Sequence, residues 1–140
     1  MSEPGEAARG GGCSPAIEEL SRQIIGAAIE VHRTLGPGML ESIYEGALCV
    51  ELDATGVTVE RQAEVVIDYK GVPLHGQRID LLVGGAIIVE LKAVATIQDV
   101  HKAQLLSYLR ATRLPLGLLI NFNEVRLKDG IRRVINERAL

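Results

Sequence analysis

Asp80, Glu90 and Lys92 stand in the stretch Arg78-Ile79-Asp80-Leu81-Leu82-Val83-Gly84-Gly85-Ala86-Ile87-Ile88-Val89-Glu90-Leu91-Lys92, which is otherwise apolar enough for the centre of a sheet. Charge in such a setting is costly to bury unless something compensates it. A divalent cation shared by Asp80 and Glu90, with Lys92 beside a reacting water or phosphate, compensates the charge and could also cleave a phosphodiester. The plainer reading is a structural Glu90 to Lys92 ion pair on a half-exposed strand, the commoner fate of a bare acid-x-lysine.

Register separates the two readings. Side chains alternate along a strand, so Glu90 and Lys92 share a face. A two-residue turn at Gly84-Gly85 would pair Val83 with Ala86 and turn Glu90 away from Asp80. A three-residue loop pairs Val83 with Ile87 and sets Asp80 opposite Glu90. Both glycines tolerate the positive φ that such a loop requires, so the longer loop, or a bulge with the same effect, is expected.

The elements that must position these residues are legible on either side. Ser14-Pro15 reads as a helix start, hydroxyl cap followed by proline at the first helical position. Ile17, Leu20, Ile24, Ala27, Ala28, Val31 and Leu35 then recur at helical spacing up to the Gly36-Pro37-Gly38 break. A second helix is expected from Leu40 to Thr55, burying Leu40, Ile43, Ala47, Val50 and Ala54. Glu41, Tyr44 and Leu48 form an adjacent line. Strands follow over Val57 to Tyr69, Gln77 to Val83 and Ala86 to Ala93, the first closed by a turn at Lys70-Gly71. Thr96, with Asp99 three residues on, is read as the cap of a third helix from Ile97 to Thr112, which carries His101, Gln104 and Tyr108 on one line. Pro115 to Asn121 is a further strand, and a hairpin is expected over Glu124 to Leu127 and Ile131 to Ile135. The predicted order is α-α-β-β-β-α-β-β-β in one α/β domain.

Composition narrows the function classes. The 140 residues are 47% hydrophobic and 24% charged, enough for one domain with a moderate core. Residues 1–13 are expected to be a disordered tail, with no apolar run of the signal-peptide kind, ahead of a single domain over 14–140. No stretch reaches membrane-spanning length, so a soluble, cytoplasmic protein is expected. Cys13 and Cys49 lack the spacing of a disulfide framework or zinc site. The net charge of −3 hides a gradient from an acidic first half to a basic C-terminal segment holding Lys102, Arg110, Arg113, Arg126, Lys128, Arg132, Arg133 and Arg138. That segment reads either as a surface following a phosphate backbone or as a solvated face. Aromatic residues make up only 3%, too few for a base-stacking platform.

The order Asp80, then Glu90-Leu91-Lys92, within a helix, three strands, helix, strand core resembles the PD-(D/E)XK nuclease superfamily. Gly38-Met39-Leu40-Glu41-Ser42-Ile43-Tyr44 is similar to the motif that names its GxxExxY branch. Gln104-Leu105-Leu106-Ser107-Tyr108 resembles the Q-x-x-x-Y element of RecB-like nucleases, and Gly117-Leu118-Leu119-Ile120-Asn121-Phe122 also looks like the GxxExxY family. Ile79 stands where the superfamily's proline would be, and isoleucine suits a central strand better. The resemblance implies a restriction-endonuclease-like core with a central mixed sheet flanked by helices. It implies Glu41, Asp80 and Glu90 as ligands of Mg2+ or Mn2+, and Lys92 as their catalytic partner.

Tyr44, Gln104 and Tyr108 would support the site or the substrate, although each also suits a packing role. His32, as a further ligand, and His101, as a phosphate contact, are further candidates. The implied activity is hydrolysis of phosphodiester bonds by a metal-activated water, in DNA sooner than RNA. Two other readings stay open: a non-catalytic nucleic-acid-binding or protein-interaction module that keeps the fold, and a toxin-antitoxin or defence accessory acting on RNA. Two-strand cutting by so small a core calls for two active sites, so a homodimer is one arrangement open to it.

Overall fold

In the computed structural model, which describes residues 12–140, Ser14 Oγ accepts a hydrogen bond from the Ile17 amide (3.2 Å) and Pro15 opens helix α1 (Pro15–Leu35). The tail expected over residues 1–13 lies almost wholly outside the described residues. Helix α2 (Glu41–Ala54) follows, then strands β1 (Val59–Tyr69), β2 (Val72–Val83) and β3 (Ile87–Lys92), helix α3 (Asp99–Thr112), and strands β4 (Leu116–Asn121) and β5 (Ile131–Ile135). The five strands form one sheet in sequence order. Only β3 and β4 run parallel, as their connection through α3 requires, and the other pairs are antiparallel. The result is the α/β, restriction-endonuclease-like mixed sheet that the element order implies. Among the described residues no helix is long and apolar enough to cross a membrane.

Two cores sandwich the sheet. Ile24, Ala28 and Val31 of α1 and Tyr44, Leu48 and Leu52 of α2 pack on Leu81, Val83, Ile87, Val89 and Leu91. Leu105, Tyr108 and Leu109 of α3 cover Ile88 and Leu119 on the opposite face. By strand alternation Glu90 and Lys92 fall on the α3 face with Ile88. Each fully buried Leu or Ile contributes about 1.5–3 kcal/mol, so these layers hold the sheet rigidly enough to carry a site.

The hairpin between β2 and β3 takes the longer loop. Val83 pairs with Ile87, Leu82 with Ile88 and Leu81 with Val89, across Gly84-Gly85-Ala86. Gly84 (φ +61°) and Gly85 (φ +66°) are both left-handed, the region where a Cβ is penalised. Extending this register by one step sets Asp80 opposite Glu90.

Four expectations are corrected. The buried side of α2 carries Tyr44, Glu45, Leu48 and Leu52, whereas Leu40, Ile43 and Val50 of the expected stripe are exposed. Polar demands of Glu41 and Glu45, described below, and the stacking of Tyr44 on Phe122 set the rotation of this helix, outweighing its more apolar face. β2 starts at Val72, five residues before the expected Gln77. Pro73 and Gly76 disguise it, but this half of β2 pairs with β1 alone, and Gly76 (φ +116°) lies in a bulge opposite Val66. Helix α3 is capped at Gln98, not Thr96. Finally, Glu124 to Leu127 forms no strand: a turn and a short 3-10 helix (Leu127–Gly130) lead into β5, which pairs back onto β4. Gly130 sits there because a Cβ would lie 2.5 Å from the Asn121 carbonyl oxygen.

Candidate active site

At the open end of the β2/β3 hairpin the ladder stops and two acid side chains take over its hydrogen bonds. The Asp80 amide donates to Glu90 Oε2 (2.8 Å), and the Leu91 amide donates to Asp80 Oδ2 (2.8 Å). Each carboxylate thus reaches across to the backbone of the other strand. Bonds of this charge-assisted kind are roughly twice as strong as neutral ones, which fixes both side chains in the gap between the strands.

Glu41 comes to the same edge from the first turn of α2, where its Oε2 accepts from the Ala93 amide (3.1 Å), one residue beyond Lys92. Met39, Leu40, Glu41, Ser42 and Ala93 line an open cleft there.

The acids bear on one another electrostatically. Glu90 is only 7% exposed, and its pKa is pushed up to about 7. Burial is the main cause and the Asp80 charge the second; Glu41 adds a smaller push, opposed by the Asp80 amide and by Lys92. Tyr108 also feels the pair. Its phenol is raised above its ordinary value by burial first, then by the charges of Glu90 and Asp80. Its hydroxyl donates to Gln77 Oε1 (2.7 Å), tying α3 to β2. Gln104, one turn earlier on α3, is exposed and makes no side-chain hydrogen bond among the described residues.

The remaining candidates fall into place differently. Tyr44 is fully buried and stacks on Phe122 with 4.4 Å between ring centroids; its hydroxyl donates to the Gly36 carbonyl and accepts from the Met39 amide (3.0 Å). It offers no surface to a substrate and instead pins the loop that leads into Glu41. Tyr44→Phe is expected to strand both backbone groups and lower stability by about 1–3 kcal/mol, read by chemical denaturation; an unchanged midpoint would contradict this role.

His32 points elsewhere: its Nε2 meets the Glu124 carbonyl (2.7 Å) and its ring tilts against Phe122. His101 accepts from the Gln98 amide through Nδ1 (3.0 Å), so it caps α3, where a phosphate contact was expected. Of the C-terminal bases, Arg133 pairs with Glu18 (2.9 Å) and Lys102 with Asp99 (3.5 Å), while Arg110, Arg113 and Arg138 line one cavity with Asn136.

Residues that spacing did not single out complete the surroundings. The Asn121 side chain, fully buried, donates to the Val94 carbonyl (2.8 Å) and accepts from the Val94 amide (3.1 Å). It thereby holds the chain that leaves Lys92. The Gln62 amide donates to both Glu45 and Asp80. A buried asparagine ending an apolar strand was a visible signal; the Glu45 to Gln62 contact, 17 residues apart, was not.

The donors suit a hard cation. Asp80, Glu90 and Glu41 offer carboxylate oxygens, and Oε1 of both glutamates makes no hydrogen bond among the described residues. Among these residues, however, no three His, Cys, Asp or Glu side chains are gathered closely enough to hold a metal ion by themselves. That accords with acids that repel one another and turn to backbone amides, and with the habit of Mg2+ of taking one or two carboxylates and keeping its waters.

No curated protein and no solved structure gives a significant match to the chain. The family model of the PD-(D/E)XK nuclease superfamily matches residues 18–134, a span that runs from within α1 to within β5 and includes Asp80, Glu90 and Lys92. With the acids opposed across β2 and β3, the lysine two residues on, and most of the chain within the match, the protein belongs to the PD-(D/E)XK nuclease superfamily.

Proposed function

We propose that the chain is a metal-dependent nuclease that hydrolyses phosphodiester bonds in DNA, of the GxxExxY kind suggested by Gly38 to Tyr44. The observation that carries this reading is the opposition of Asp80 and Glu90 where β2 and β3 part, with Lys92 on the Glu90 face. Asp80, Glu90 and Glu41 would hold Mg2+ or Mn2+, and when bound the cation supplies a water of lowered pKa and neutralises charge on the phosphate.

The protein's own groups have distinct tasks. Glu90 must be ionised to serve as a ligand, and its neighbour Lys92 favours that form. Lys92 also places a positive donor where negative charge grows on the phosphate oxygens during attack. Glu41, held on the Ala93 amide, sets the α2 wall of the site beside the open cleft. Gln104, exposed and one turn from Tyr108, would contact the substrate backbone, whereas Tyr108 ties α3 to β2.

The test is incubation with linear, circular and branched DNA and with RNA, in Mg2+, Mn2+ or EDTA, alongside Asp80→Asn and Lys92→Ala. Cleavage of DNA that requires metal and falls about a hundredfold or more in both variants is expected. Metal-dependent cleavage undiminished in both would reject the site. Cleavage of RNA alone would reassign the substrate, and no cleavage by the parent on any substrate would favour a non-catalytic binding module.

A further inference from the structure

Opposite Asp80 on β1 stands Gln62, the one position in that stretch where the backbone leaves the ladder. Arg61 pairs with Leu81 and Ala63 with Ile79, but no pairing joins Gln62 to Asp80. Its φ is +52°, left-handed, and its carbonyl is taken up by Arg78 Nη1 (2.9 Å). A glycine would adopt this conformation with far less strain, so what the glutamine side chain contacts bears on why it stands here.

That side chain links two acids. Its Nε2 donates to Glu45 Oε1 (2.9 Å) and, through a longer contact, to Asp80 Oδ1 (3.4 Å). Glu45 is 9% exposed and its other oxygen accepts from Arg61 Nε (3.0 Å). Since the Leu91 amide already holds Asp80 Oδ2, the Gln62 amide restrains the remaining oxygen, and with it the plane of the carboxylate.

The hairpin changes sides at this point. Val59, Leu81 and Val83 pack towards α1 and α2, yet Ala63, Val65 and Ile79 pack under α3. Residues 79 and 81 should share a face by alternation, so the strands must twist sharply between them. Glu45 lies one turn beyond Glu41 on α2, and Gln62 joins that helix to the twist that presents Asp80.

We infer that Gln62 is a positioning residue, which couples α2 to Asp80 through Glu45 and orients the Asp80 carboxylate for a divalent cation. The inference rests on the proposed metal site. Its test keeps the two apart.

Gln62→Gly accepts the backbone conformation and removes the whole side chain with its amide, so relief of strain should offset the lost contacts and keep the melting temperature within a few degrees of the parent. Calorimetric Mn2+ affinity should fall about tenfold, and kcat for DNA should fall with KM unchanged. In metal-free protein, a double-mutant cycle of Gln62→Gly with Asp80→Ala should show non-additivity of about threefold or more in the unfolding equilibrium constant.

Parental Mn2+ binding undiminished in Gln62→Gly would overturn the positioning role while leaving the metal site intact. Failure of the parent to bind Mn2+ would instead overturn the metal site, and the metal-free cycle then decides whether Gln62 restrains Asp80. Additivity within the error of that cycle would reject the restraint.

Discussion

Glu90→Gln should give a protein that lacks the proposed nuclease activity and yet, above neutral pH, is more stable than its parent. The carboxyl group of Glu90 is pushed from an ordinary value of 4.5 to about 7 in the folded chain, chiefly by burial and then by the Asp80 charge. Between those two values the folded state holds a proton that the unfolded state has released. Stability is therefore fully present below about pH 4.5, declines as pH rises through this window, and levels off above about pH 7. The displacement corresponds to roughly 3 kcal/mol at its limit.

Glutamine at this position stays neutral at every pH and can still accept the Asp80 amide, so the decline should flatten. At pH 8 the variant should gain up to about 3 kcal/mol in chemical denaturation, whereas at pH 4.5 the two proteins should be nearly equal. Activity should be lost because the amide is a poor cation ligand. A variant no more stable than the parent at pH 8 would show that Glu90 carries no desolvation cost. One that retained metal-dependent cleavage would remove Glu90 from the proposed site.

Metal should largely offset the same pH dependence. A cation held as proposed by Asp80, Glu90 and Glu41 would require Glu90 to give up its proton, so binding should strengthen as pH rises through about 7. With Mn2+ at about a hundred times its dissociation constant, stabilisation of about 2.7 kcal/mol is expected, which for a domain of this size is a rise on the order of 10 °C in melting temperature. At pH 5.5 affinity should be about thirtyfold weaker, since most Glu90 is then protonated and must release its proton first.

Calorimetric scans at pH 5.5, 7 and 8.5, with MnCl2 or EDTA, measure this directly. A metal-induced shift of equal size at all three values would mean that Glu90 is not among the ligands. Asp80→Asn should reduce the shift at each pH, which separates binding at this site from adventitious binding by surface acids.

The legible parts of the protein were those in which local rules and the global fold agree. Ser14-Pro15 starts α1, Gly36-Pro37-Gly38 ends it, and Lys70-Gly71 turns β1 into β2 with both residues at positive φ. Gly84-Gly85 was read correctly because register leaves only two alternatives, and only one puts Asp80 opposite Glu90. The errors lay where tertiary contacts overrode local pattern. On α2, apolar content pointed to Leu40, Ile43 and Val50, but the helix turns its Glu41 and Glu45 edge to the sheet because backbone amides and the Arg61 guanidinium bind those carboxylates. Pro73 and Gly76 suggested a loop, yet pairing with β1 carries the strand through them.

By itself the sequence determined the α/β class and the order of the main elements, since these follow from periodicity and turn chemistry along the chain, and its motifs, through the family resemblance, pointed to Glu41, Asp80, Glu90 and Lys92 as candidates. Only the tertiary structure decided which of them meet, because that depends on contacts between distant segments. It brought Glu41 to the Ala93 amide, crossed the Asp80 and Glu90 carboxylates between strands, and placed His32 on the Glu124 carbonyl. It also placed Gln62, at φ +52°, between Glu45 and Asp80. No spacing rule predicts that contact, since it exists only after α2 and the twisted hairpin have packed against each other.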